Sequence, residues 1–229
     1  MLKHLYSNWW KGLAVIFLLY TFSFGLLNKV PNVVILHETI RNLYYHVPCW
    51  FAMLFLMLVS LVYSIKYLRS GRLMYDIVAV ALLRVALVFG VLGYLTGMLW
   101  GNYIWGDLIS WILGDTKTLG TAIGLLMYFA YFILRGSIDD EEKRARVAAV
   151  YSIFAFTLLN VSINVVPRLK SSLHPGSGGN ATFTVYDLDS GLRMVFYPAV
   201  IGYILLGLWI SSVLIRMQIL HYKKNNITV

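Results

Sequence analysis

Long apolar runs alternate along this chain with shorter polar stretches, and each run approaches the roughly 20 residues that a helix needs to cross a hydrocarbon layer. They predict spans over 9–27, 47–68, 77–99, 119–134, 147–166 and 194–215. Pro48 falls in the first turn of the second span, where its missing N–H is harmless. Of the larger stretches between spans, 28–45 carries Pro31, His37, Glu38 and Arg41, and its spacing of Ile35, Thr39, Asn42 and Leu43 permits a short amphipathic helix on the membrane surface. The other, 168–192, contains His174-Pro175-Gly176-Ser177-Gly178-Gly179, which cannot continue a helix. The expected fold is an all-α integral membrane protein, with one six-helix bundle spanning residues 1–229.

Composition agrees with that pattern. At 59% hydrophobic and 13% charged residues, with a mean hydropathy of +0.73, the chain is more apolar than a soluble domain. A net charge of +9 does not point to nucleic acid, which needs a basic face on a soluble module; here the charges lie between apolar runs and set orientation. Lys3, Lys11, Lys66, Arg69, Arg72, Arg135, Lys143, Arg144, Arg146, Arg216, Lys223 and Lys224 fall on the side of the termini. Lys29, Arg41, Lys117, Arg168, Lys170 and Arg193 fall on the other. The positive-inside rule then places both termini in the cytoplasm, together with His4 and His221, and puts His37, His46 and His174 outside. The first run lacks a small-x-small cleavage site and reads as a retained span. The single cysteine, Cys49, excludes an intrachain disulfide and a CxxCH haem-attachment site, and reads as a helix-packing residue.

The candidate chemistry lies on the outside. Between the third and fourth spans, residues 96–118 hold Trp100, Trp105, Trp111, Tyr103, Asp107 and Asp115. Tryptophan is ordinary at a membrane interface, but Trp100-Gly101 and Trp105-Gly106 each set a flat ring beside a residue with no side chain, an arrangement that admits a planar ligand close to the backbone. Haem suits a face that combines this platform with histidines, because its iron is commonly held by imidazole and its propionates take Arg or Lys. His46 sits at the mouth of the second span, where the helix dipole favours a neutral ring. His174 approaches from the other loop. Arg41, Lys117, Arg168 and Lys170 are cations on the same face. Arg84 lies about eight residues inside the third span, too far from the patch to serve it, and is expected to pair structurally or to snorkel.

The run WGNYIWGDLISW followed by Asp115 resembles the tryptophan-rich WWD signature of the haem-handling proteins of cytochrome c maturation. Arg41-Asn42-Leu43-Tyr44-Tyr45-His46-Val47-Pro48 and Leu173-His174-Pro175-Gly176-Ser177 are similar to the two histidine segments of the CcmC family within that group, so the resemblance covers nearly the whole chain. It implies a haem-binding protein of the bacterial inner membrane that performs no covalent chemistry. In that family picture His46 and His174 hold non-covalent, b-type haem at the periplasmic face, over Trp100, Gly101, Trp105, Gly106, Trp111 and Asp115. The haem then passes to the chaperone CcmE, with CcmD and the ABC transporter CcmAB as further partners. The chain departs from the usual WGxxWxWD: Leu108, Ile109 and Ser110 stand where aromatics are expected, and Ile112-Leu113-Gly114 separate Trp111 from Asp115. Either Asp115 with Lys117 or Asp107 replaces the family's acid, and Asp115 is favoured. A CcsA-type subunit of a cytochrome c synthase generally has additional spans. A transmembrane b-type haem electron carrier wants histidine pairs inside facing helices, and a small-molecule transporter wants polar clusters at mid-membrane.

Overall fold

The computed structural model describes residues 8–32, 35–170, 174 and 188–224. Lys3, His4 and the turn-rich residues Pro175 to Gly179 lie outside the described residues, as does Leu173 of the second histidine segment. The described chain is helical: α1 (Trp9–Leu27), a 3-10 turn (His37–Asn42), α2 (Leu43–Ser70), α3 (Leu73–Trp105), α4 (Leu108–Gly114) and α5 (Thr116–Gly136). There follow α6 (Glu141–Asn160), which continues through a π-helical segment (Val161–Val165) into α7 (Val166–Leu169), and the last helix, α8 (Ser190–Lys224). Six of these helical stretches are long and apolar enough to cross a membrane. Large apolar side chains such as Leu19, Ile133 and Phe154 face outward, as lipid contact requires.

Most helices run longer than their apolar cores, because polar residues at their ends find partners on neighbouring helices. The 28–45 stretch forms the 3-10 turn, which feeds directly into α2 at Leu43. Pro48 consequently stands inside a helix, as its sixth residue, because the helix starts at Leu43 rather than at the expected Val47. Gly71 ends α2 in the left-handed conformation, at φ 67°. Gly106 ends α3 at φ 79° and ψ −127°, a region that glycine enters without a Cβ clash. The π-helical turns lie immediately before Pro167. A proline there removes one i→i−4 hydrogen bond and crowds the preceding turn, a recognised cause of local widening.

α3 is the central element and packs along α2, α8 and α5. Its tightest seam is a glycine ladder. A Cβ placed on Gly90 would meet Met53, one on Gly93 would meet Trp50 and Cys49, one on Gly97 would meet His46, and one on Gly101 would meet Trp111. The 3-4-4 spacing keeps the four glycines on one face and lets α2 approach the α3 backbone, the small-residue packing on which membrane helices depend. Ser60 of α2 donates to the Ala79 carbonyl at 2.8 Å on the same seam. Near the other end of α3, Asp76 takes two hydrogen bonds from the Arg135 guanidinium, at 2.8 and 2.5 Å. That pair ties α3 to α5. Arg84 lies on the outward stripe of α3 with Val88 and Leu92 and makes no ion pair among the described residues.

Candidate functional site

The first turns of α2 and α5 and the last turns of α3 meet at one end of the bundle. His46, the fourth residue of α2, is buried at 7% exposure and lies against Gly97. Its Nε2 accepts the Trp50 indole N–H at 3.3 Å. Indole nitrogen is only a donor, so Nδ1 carries the ring proton and donates to Thr96 Oγ1 at 3.1 Å. The Thr96 hydroxyl in turn donates to the Leu92 carbonyl at 2.8 Å. Trp50 of α2 and Thr96 of α3 thus together fix the tautomer and the tilt of His46. Trp50 and Trp100 both stand edge-on to the imidazole, with centroids 6.0 Å away, and Trp100 Nε1 donates to Thr39 Oγ1 at 3.1 Å.

The second histidine arrives from a distant part of the chain. His174 Nδ1 donates to Asp115 Oδ1 at 2.9 Å, and its ring stacks on Trp111 with centroids 5.7 Å apart at 27°. Asp115 is 1% exposed. It caps α5 by accepting from Thr118 N at 2.8 Å and from Thr118 Oγ1 at 2.9 Å, so the carboxylate is rigid before the histidine reaches it. Trp111 lies over Gly101, one turn along α3 from Gly97 and therefore about 6 Å further along the axis. His46 and Trp111 accordingly occupy successive turns of one α3 face, and His174 joins them through its stack on Trp111. Both His174 and Lys117 lie within electrostatic reach of His46, and Asp115 and Arg168 lie within reach of Lys117.

The other sequence candidates separate into those that join this cluster and those that do not. Gly101 is filled by the protein's own Trp111 ring, whereas space around Gly106 is open. Trp105 is 43% exposed at the end of α3. Asp107 is exposed and caps α4, accepting from Ile109 N at 3.2 Å and from the Ser110 hydroxyl at 2.6 Å. The Ser110 bond is the main reason its carboxyl is held below the usual range. The Arg41 guanidinium is spent on the Gly25 and Asn28 carbonyls, at 2.9 and 2.6 Å, and on Glu38, so it caps α1. Arg168 donates to the Asn164 carbonyl, and Lys170 is exposed just past α7. His37 is exposed and pairs with Asn32 at 3.1 Å.

Thr96, Trp50 and Gly97 shape the site, although none stood out in the sequence. Thr96 and Gly97 lie inside an apolar run, and only the helical offset from α2 selects them. Trp50 was legible in principle, since it stands four residues after His46 and therefore on the same helix face. A cleft of about 390 Å³ opens beside Thr96 and Trp100 and is lined also by Arg41, Tyr45, Leu99 and Tyr103. Among the described residues the Trp111 Nε1–H is buried and has no acceptor.

This fold and site define a polytopic membrane protein with two histidines, each bonded through Nδ1, gathered with tryptophans at one end of a six-helix bundle. The chain belongs to the CcmC family, described as Heme exporter protein C, whose model matches residues 1–229. It is similar to the Heme exporter protein C of Bradyrhizobium diazoefficiens, at 30% identity over 115 residues, half of this chain and 43% of that protein's length. The protein of that name from Haemophilus influenzae is 23% identical over 193 residues, which covers 80% of this chain and 72% of that protein. The one from Paracoccus denitrificans is 24% identical over 186 residues, with coverage of 79% and 73%.

Proposed function

We propose that this chain holds haem as non-covalent, b-type cargo between His46 and His174, at the periplasmic face of the bacterial cytoplasmic membrane, and passes it to the chaperone CcmE for c-type cytochrome assembly. Family membership and the names of its relatives support haem handling. The observation that carries the finer reading is the presence of two Nδ1-bonded imidazoles at one end of the bundle, His46 against Gly97 of α3 and His174 stacked on Trp111, which itself covers Gly101 one turn further along. In both rings a bonded Nδ1–H leaves Nε2 as the lone-pair nitrogen, the state an iron ligand requires. The buried Trp111 N–H, which has no acceptor among the described residues, and the nearby cations Lys117 and Arg168 suit a planar ligand bearing carboxylates.

Within this reading Trp100 and Trp111 cover the porphyrin and Asp115 orients His174. Trp105 and Gly106, on the exposed turn, meet the chaperone. Lys117 and Arg168 take the propionates in preference to Arg41, which is committed to α1. CcmD and CcmAB are the remaining partners, and both termini face the cytoplasm. The test is the absorption spectrum of the purified protein after haem addition, together with haem loading of CcmE. Wild type should give a six-coordinate, low-spin spectrum that His46→Ala and His174→Ala each disrupt. Unchanged spectra and unchanged loading in both variants would overturn the proposal.

A further inference from the structure

The two imidazoles have different surroundings, and we infer that they are unequal ligands: His174 retains the iron, while His46 is the ligand that exchanges when haem enters or leaves. The inference rests on the haem-binding reading above and concerns what Asp115, Thr96 and Trp50 do to the two rings.

At His174 the Nδ1–H meets a carboxylate. Asp115 is buried and pinned by two bonds from Thr118, so it has no competing solvent shell. A charged acceptor on Nδ1 pushes electron density toward Nε2 and strengthens it as a donor to metal. The near-parallel Trp111 ring holds the imidazole plane. A histidine from a loop is ordinarily the easier one to release, but these two contacts oppose the ring rotation through which release would occur.

At His46 the Nδ1–H meets a neutral hydroxyl at 3.1 Å. Thr96 spends its own proton on the Leu92 carbonyl, so it orients the ring without adding charge. The Nε2 lone pair is already occupied by the Trp50 N–H at 3.3 Å. Trp50 stands on the same helix, four residues on, so this bond forms whenever iron is absent and must break when iron binds. The exchange at Nε2 breaks the hydrogen bond from the Trp50 N–H and gives the freed lone pair to the iron, with no change of oxidation state. Thr96 and Trp50 are therefore positioning residues for a labile ligand, and Asp115 is the positioning residue for a retained one.

The experiment uses the full chain in detergent, loaded with haem, and reads haem affinity together with the iron–histidine stretch in resonance Raman spectra of the ferrous form. His46→Ala should keep haem within about three-fold of wild type and give a five-coordinate ferrous spectrum, whereas His174→Ala should weaken binding by at least the roughly ten-fold that follows loss of a ligand's outer-shell partner alone. Asp115→Asn should lower the iron–histidine stretch measured in the His46→Ala background. Trp50→Phe should strengthen wild-type haem binding a few-fold. Thr96→Val should yield a mixture of five- and six-coordinate haem that Thr96→Ser restores. Added imidazole should return low-spin haem to His174→Ala, which establishes that this variant is folded. Equal losses in the two alanine variants, a greater loss in His46→Ala, or a stretch insensitive to Asp115→Asn would overturn the inference while leaving haem binding intact. A wild-type protein that takes up no haem would overturn the underlying reading as well.

Discussion

Gly97 and His46 are in direct contact across the α2–α3 seam: a Cβ on Gly97 would stand 2.5 Å from the imidazole Cε1. Real Cβ atoms do not approach that closely, so Gly97→Ala must move the ring, which is held at both nitrogens. Overpacking of this kind costs about 1–3 kcal/mol. The expected outcome is a folded protein, modestly less heat-stable in detergent, whose haem spectrum loses its low-spin character. Gly12→Ala, at an open position, is the control and should change neither property.

The six spans were legible because hydropathy follows burial in lipid as directly as it does in a core, and His46, His174 and Asp115 were picked out as candidates by their outside placement and by the family resemblance. Their mutual arrangement was not. Trp100-Gly101 reads in sequence as a seat for a ligand, yet the space over Gly101 belongs to Trp111 from the next helix, ten residues away and brought back by the turn at Gly106. Arg41 reads as a cation available to a propionate, but the open carbonyls at the end of α1 claim it. Thr96 carries no signal at all, since a threonine in an apolar helix ordinarily bonds its own backbone. Here it does so while also accepting from His46. Each of these depends on which helix lies opposite, which periodicity within one segment does not encode.

The two acids of the Trp-rich stretch should separate cleanly. Asp107→Asn should leave haem binding unchanged, while Asp115→Asn weakens it about ten-fold, because only Asp115 supports a proposed ligand. Acidification distinguishes them further. Asp107 has its carboxyl held below the ordinary value of 3.8, chiefly by Ser110. Its contribution to α4 is therefore present above that value and is lost as pH falls through the depressed folded value. Hydrogen exchange across α4 should rise at low pH in wild type and show a flatter pH response in Asp107→Ala.

Asp76 and Arg135 lie far from the site, since the twenty residues from Asp76 to Thr96 span roughly 30 Å of α3. Their side chains are 6% and 12% exposed. Removing one partner from a buried ion pair strands the other charge and costs about 3–5 kcal/mol. Asp76→Ala should accordingly lower the unfolding temperature in detergent by more than any site variant does. The double replacement Asp76→Leu with Arg135→Met should recover most of that loss. The haem spectrum of whatever protein remains folded should match wild type, because the lost contact joins α3 to α5 at the opposite end.

Trp111 offers a case in which stability and binding separate. Its ring fills the space over Gly101 and stacks on His174, while its N–H is buried with no acceptor among the described residues. An unsatisfied buried donor destabilises by an amount on the order of 1 kcal/mol or more. Trp111→Phe keeps an aromatic face toward His174 and deletes the donor, and the void left where Cζ2 and Cη2 stood over Gly101 offsets that gain, so the haem-free protein should unfold close to the wild-type temperature. Haem binding should weaken several-fold, because the N–H that would meet a ligand acceptor is gone. Trp111→Ala should lose on both counts, leaving a cavity over Gly101 and removing the stack that orients His174. Thermal unfolding with and without haem separates these outcomes: a Phe variant destabilised in the haem-free state and unaltered in haem affinity would show that the indole serves packing alone.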